Sequence, residues 1–162
     1  GLLSIAYYRL LNPEIIVGDT RSDSPKAKYA YMMSADLDLD YESAIEYARR
    51  NTPEGQGFDV VIEATGDPSG LDMALNLARP RGVILVKSTH GAPVTFDLTK
   101  AVVKEVQIST SRCGPFHKAI SVLRKKLIDV RRLVTGEYSI DDGVEAFKKS
   151  FERDMIKVQI YV

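Results

Sequence analysis

The chain of 162 residues has one cysteine, two histidines and no tryptophan. The single thiol, Cys113, cannot form an internal disulfide, and such sparing use of cysteine fits a reducing compartment, so a cytoplasmic setting is expected. Cys113, His90 and His117 stand at no metal-ligand spacing, so no zinc site is expected in this chain. Basic and acidic residues number 22 each, leaving zero formal net charge. A nucleic-acid binder normally shows a basic excess, so that class of partner is not expected. The short basic cluster from Arg124 to Lys126 and Arg131 to Arg132 reads as a solvated helix end. No apolar run approaches the ~20 residues that cross a bilayer, and no membrane partner is expected. The first residues lack a basic region, and Tyr7, Tyr8 and Arg9 interrupt their apolar stretch, unlike a signal peptide. There is no Gly-x-Ser-x-Gly elbow, no Walker loop and no carboxylate pair brought together by spacing, so no catalytic residue is assigned.

What is present is a strand-helix alternation with 44% apolar residues, enough for a core. Leu2, Leu3, Ile5, Ala6 and Leu10 form a helical stripe that Pro13 ends. Glu14 to Asp19 is a β-rich run closing on an acid. Ser22-Asp23-Ser24-Pro25 predicts a helix start, with Ser24 as N-cap and Pro25 in the first turn. Leu37-Asp38-Leu39 is a weak edge strand, and 43–50 is helical. Phe58 to Ala64 is the clearest strand, and its four central β-formers suit burial on both faces. A helix over Leu71 to Ala78 stops at Pro80, and Gly82 to Val86 is a second buried strand. Val102, Val103 and Val106 lead into a modest strand at Gln107 to Thr110, and 115–126 is helical. Ser139-Ile140-Asp141-Asp142 resembles a capping box before a helix lined by Val144, Phe147 and Phe151. Ile156 to Val162 alternates as a closing strand. This order predicts a doubly wound parallel α/β sheet with helices on both faces.

In such sheets ligands bind beyond the carboxyl ends of the strands. Asp19 ends the first visible strand, where an acid accepts hydrogen bonds from a ribose; the alternative is a turn or capping residue. Arg21 is placed to meet a 2′-phosphate or is a solvated charge. Thr65 and Gly66 end the strongest strand, and their small size suits close approach of a ligand or a plain tight turn. Ser88, Thr89 and His90 end the next strand, and a loop histidine with no visible carboxylate partner reads as exposed. Gly1 opens the first helix, where N–H donors face a pyrophosphate. Cys113 beside Arg112 reads as a turn residue rather than a reactive thiol.

The run Phe58-Asp59-Val60-Val61-Ile62-Glu63-Ala64-Thr65-Gly66 resembles the fourth-strand signature of the medium-chain, zinc-type alcohol dehydrogenases. Its spacing to Ala74-Leu75 and to Arg81-Gly82-Val83-Ile84 matches, as does Leu133 to Ser139 leading into Gly143-Val144-Glu145-Ala146-Phe147 and the strand at Lys157-Val158. Ser111-Arg112-Cys113-Gly114-Pro115-Phe116 resembles an alcohol dehydrogenase-like branch.

The resemblance implies a Rossmann-like sheet truncated at its N-terminus, lacking the first strand and most of the glycine loop. Gly1 aligns with the third glycine of Gly-x-Gly-x-x-Gly. In the order 3-2-1-4-5-6 the missing strand is central, leaving Ile15 to Val17 and Val60 to Ile62 without a shared neighbour. The family's catalytic GroES-like domain, with its zinc ligands, is also absent, and 1–162 is expected to form a single incomplete domain. The expected function is the NAD(P)-binding domain of an alcohol dehydrogenase-related oxidoreductase, inactive alone, with weak cofactor binding that favours NAD. Lys157 then sits where the family often places a basic residue reaching the pyrophosphate. The rivals are a subunit of a split dehydrogenase, a remnant that binds no cofactor, and a methyltransferase, against which the C-terminal signature speaks. Dimeric members pair their sixth strands, so a homodimer through 107–111 is expected. That strand has no Lys, Glu or Pro to blunt an edge.

Overall fold

The computed structural model describes residues 1–21 and 24–162. Helices and strands alternate along them: α1 (Leu2–Arg9), β1 (Val17–Asp19), α2 (Ala27–Met32), β2 (Leu37–Leu39), α3 (Tyr41–Asn51), β3 (Phe58–Glu63), α4 (Gly70–Leu77), β4 (Ala78–Val86), α5 (Leu98–Lys104), β5 (Gln107–Thr110), α6 (Phe116–Arg124), β6 (Val134–Ser139), α7 (Gly143–Lys149) and β7 (Lys157–Tyr161). They gather into two compact units, one of Gly1 with Leu39–Pro115, the other of Leu2–Asp38 with Phe116–Val162.

The first unit is built on a parallel sheet in the order β3-β4-β5, with Val61 opposite Ile84 and Ile84 opposite Ile108. Leu75 of α4 and Ile84 of β4 are fully buried, with Ala74, Ala78 and Ala101 around them and Val61, Leu71, Val86, Phe96 and Val106 packed outside. Burying each such aliphatic side chain is worth about 1.5–3 kcal/mol. Helix α3 starts where the Asp40 carboxylate accepts the Ser43 N–H at 2.9 Å, and Tyr47 stacks on Phe58 with ring planes 2° apart. These contacts set α3 against the start of β3.

Helix α4 ends on a half-buried cation. The Lys104 ammonium donates to the carbonyls of Leu75 (2.9 Å), Asn76 (3.4 Å) and Ala78. Burial, and the nearby Lys100 charge, hold its pKa below the usual lysine range. The last carbonyls of a helix lack partners and carry its negative dipole end, so an ammonium there satisfies both. Lys104→Met is expected to cost about 1–2 kcal/mol in urea unfolding. An unchanged midpoint would show that water serves these carbonyls equally well.

In the second unit β1 pairs with β2, and β6 with β7, the latter in parallel with Tyr138 opposite Ile160. Its core holds Ala6, Tyr29, Met33 and Leu133, with Leu2, Ile5, Ile128 and Ile156 against them. Arg9 forms an ion pair with Asp36 and donates to the Ser34 carbonyl at 2.9 Å, while Asp36 accepts the Ile16 N–H at 2.7 Å. This clamp holds the end of α1 beside the entrance to β1.

Several elements differ from the sequence expectation. Helix α2 begins at Ala27, beyond Pro25; the Ser24 hydroxyl accepts the Lys26 N–H at 3.3 Å, whereas the helix's own N-cap has no side-chain bond. Ser22 and Asp23 lie outside the described residues. Val102 and Val103 belong to helix α5, because the Asp97 carboxylate caps it by accepting the Lys100 N–H. Residues 134–139 form strand β6, which the family motif had masked. Strand β3 is not buried on both faces: Asp59 is exposed and Val60 is 41% exposed. Its position explains this, since β3 is an edge strand and no sheet among the described residues contains both β1 and β3.

Candidate functional site

The carboxyl ends of β3 and β4 lie side by side, with Glu63 opposite Val86 in register. Glu63 closes β3 and is 4% exposed, the one charged side chain buried among the described residues. Its Oε1 accepts hydrogen bonds from the Thr65 N–H (2.8 Å), the Thr65 hydroxyl (2.7 Å) and the Ser88 hydroxyl (2.7 Å). Ser88 Oγ in turn accepts the Gly66 N–H at 2.8 Å, and Thr65 Oγ1 accepts the Asp67 N–H at 3.1 Å. Burial alone would raise the Glu63 pKa, but the bonds from Thr65 and Ser88 outweigh it and hold the carboxyl below the usual glutamate range. A carboxylate accepting several short bonds stays charged when buried.

This cluster joins three of the residues expected from sequence, Thr65, Gly66 and Ser88, through a fourth that the sequence reading left as part of a strand. The signal for it was an acid closing an otherwise apolar run. Gly66 takes φ +74° and Gly91 φ +75°, and a Cβ on either would meet nothing within 4 Å. Thr65 and Thr89 are exposed. Asp67 turns the chain into α4, its Oδ1 accepting the Ser69 N–H at 2.9 Å and hydroxyl at 2.7 Å. The Nδ1 of His90 accepts the Ala92 N–H at 3.2 Å, so this histidine serves its own turn. Gly1 belongs to the same unit. Desolvation lowers the pKa of its amine, and the Glu63 charge acts in the opposite direction.

The remaining candidates belong to the second unit. Asp19 ends β1 and is exposed, as is Arg21. Beside them, Asp38 of β2 accepts the Thr20 hydroxyl at 2.6 Å through Oδ2, while its Oδ1 is buried without a partner. Burial therefore raises the Asp38 pKa, opposed by the Thr20 bond. A Cβ on Gly18 would lie 2.7 Å from that Oδ1, so β1 approaches β2 this closely only with glycine there. Lys157 opens β7, exposed, and lines an open depression with Glu137 and the strand as far as Tyr161.

Residues 1–127 match the family model described as zinc-binding dehydrogenase. The chain belongs to that family. A curated relative, D-xylulose reductase A of Aspergillus oryzae, is 27% identical over 91% of this chain and 43% of its own length. In fold, L-idonate 5-dehydrogenase of Escherichia coli K-12 superposes with TM-score 0.88 at 25% identity, covering 99% of this chain and 46% of that one. A zinc-binding dehydrogenase of Sinorhizobium meliloti solved with NADP bound gives TM-score 0.85 at 20% identity, over 99% and 49%. The zinc-type dehydrogenase chain described above is thus a Rossmann-like α/β domain spanning under half the length of these relatives. Among the described residues no group of three or more His, Cys, Asp or Glu side chains is placed to hold a metal ion. No helix among the described residues is long and apolar enough to cross a membrane.

Proposed function

We propose that this chain is the dinucleotide-binding part of an NAD(P)-dependent oxidoreductase and that hydride transfer requires a catalytic domain supplied by other residues or another chain. The observation that carries this reading is the Glu63-centred cluster, which sets Thr65, Gly66 and Ser88 at the mouths of adjacent parallel strands. By resemblance to the family, Gly1 is assigned to a pyrophosphate and Thr89 to a nicotinamide in the first unit, while in the second Asp19 is assigned to an adenosine ribose and Lys157 to a pyrophosphate. Arg21 would meet a 2′-phosphate, but the Asp19 carboxylate repels that group, so NAD is the preferred cofactor. The relatives named for D-xylulose and L-idonate support a sugar-derived alcohol as the substrate class of the assembled enzyme.

Calorimetric titration of the purified chain with NAD and NADP tests the reading. NAD is expected to bind in the micromolar range or more weakly, more tightly than NADP, and Asp19→Ala to remove the preference. Tighter NADP binding would overturn the preference for NAD, and binding of neither cofactor would leave the remnant reading standing. Oxidation of an alcohol panel by the chain alone would overturn the requirement for a second domain.

Two surfaces support partners. On α7 and the turn after it, Val144, Phe147 and Phe151 are 74%, 66% and 74% exposed, an apolar ridge suited to a catalytic domain or subunit. Strand β5 is an edge, exposed at every residue from Gln107 to Thr110, and a two-fold pairing of 107–111 would join two copies. Light scattering at micromolar concentration is expected to give twice the 18.0 kDa chain mass. Ile108→Pro is expected to return it to the monomer; a dimer that survives this change but not Val60→Pro would place the interface on the β3 edge instead.

A further inference from the structure

We infer that Glu63 is the positioning residue of the cofactor floor, holding the loops after β3 and β4 in one arrangement while touching no ligand itself. The inference rests on the dinucleotide reading above. Its physical basis is the direction of the hydrogen bonds. Thr65 and Ser88 each have one hydroxyl proton, and both are directed at Glu63 Oε1, at 2.7 Å. Their lone pairs are thereby left to receive the Asp67 and Gly66 N–H groups, at 3.1 and 2.8 Å. The backbone N–H of Thr65 also donates to the carboxylate, at 2.8 Å. Only an acceptor at the centre orients all of these groups outward in this way. The bond from Gly66 to Ser88 is the link between the two loops, 22 residues apart in sequence, and the Ser88 O–H, directed at Glu63, leaves a lone pair facing it.

An amide at this position carries no charge: with its oxygen in place of Oε1 it accepts the same bonds more weakly, and in the flipped orientation it presents an NH2 group to three donors. The main sheet does not depend on the carboxylate, since β3 and β4 pair through backbone from Val60 to Glu63. A defect at Glu63 should therefore appear in the two loops and not in the core of the unit.

Hydrogen exchange and calorimetry on the full chain, wild type against Glu63→Gln, test this. Amides of 64–70 and 87–91 are expected to exchange roughly tenfold faster while those of α3 and β5 do not change. Affinity for NAD is expected to fall roughly tenfold, the loss of about one charged hydrogen bond. Unchanged loops, acceleration spread over the whole unit, or loosened loops with unchanged NAD affinity would each overturn the inference. If Glu63→Gln fails to fold, Ser88→Ala keeps the carboxylate and its bonds from Thr65 while removing the link and one donor to Glu63, and it is expected to free the Gly66 amide and weaken NAD binding. Wild-type chain that binds no NAD would sink the dinucleotide reading and the word cofactor here. The exchange pattern would still decide whether Glu63 holds the loops.

Discussion

Replacing Gly57 with alanine is expected to remove a large part of the folding stability. Gly57 is buried, has φ +117° and sits just before β3. A Cβ there would lie 2.4 Å from the Leu77 carbonyl oxygen and 3.0 Å from Ala78 C and Arg79 N. All three are backbone atoms at the junction of α4 and β4, so no side-chain rotation can relieve the clash. Nor can the backbone of residue 57 yield easily: the Thr52 hydroxyl holds its N–H at 3.0 Å, and Phe58 is in register with Ala78. The disfavoured φ alone costs about 1–3 kcal/mol, and the clash adds to it, for roughly 4 kcal/mol in all. Domains of this kind have about 5–15 kcal/mol to lose. Gly91→Ala is the control, because its φ is also positive, +75°, but nothing lies within 4 Å of the new Cβ. Urea unfolding is expected to show a small loss for Gly91→Ala and a several-fold larger one for Gly57→Ala. Equal losses would mean that backbone conformation, not the close approach of α4 to β3, governs this position.

The sequence made β3, β4, α3, α4 and the closing strand legible because their apolar periods are strong and their ends carry Gly, Pro or capping residues. Helix α5 was not legible, because Val102 and Val103 favour strands and the Asp97 cap that overrides them lies several residues upstream. The composition of β3, with four central β-formers, did not show the exposure of Val60, which follows from the place of β3 at the edge of its sheet; the resemblance alone pointed to Val60 to Ile62 lacking a neighbour. At the site, Thr65, Gly66 and Ser88 were legible as strand-end positions. Glu63 was not: an acid in a strand gives no sign, from sequence alone, of which face it occupies. The partnerless Oδ1 of Asp38 is a similar case, because the closeness of Gly18 to it arises only once β1 and β2 pair.

Gly70→Ala is expected to be destabilising at a position where helix propensity alone favours the change. Gly70 is the first residue of α4, and alanine in a helix is worth about 1 kcal/mol over glycine. The packing points the other way. A Cβ on Gly70 would lie 2.3 Å from Thr65 Oγ1, 2.5 Å from Glu63 Oε1 and 3.0 Å from Glu63 Cδ. These are the central atoms of the cluster. If the Thr65 side chain swings away, Glu63 loses a donor and the Asp67 N–H its acceptor. If Glu63 moves, a buried charge loses its partners, which is the costlier route. The net effect is expected to be a loss of roughly 2 kcal/mol despite the propensity gain, with weaker NAD binding alongside it. A double-mutant cycle locates the clash. Thr65→Val keeps the shape and removes the hydroxyl, so it should leave the crowding, whereas Thr65→Ala removes the obstructing atom. Gly70→Ala is therefore expected to cost about 1 kcal/mol less in a Thr65→Ala background than alone, and no less in Thr65→Val. Strict additivity in both backgrounds, or wild-type stability for Gly70→Ala itself, would show that α4 can shift away from the cluster and that glycine at this position is not required by it.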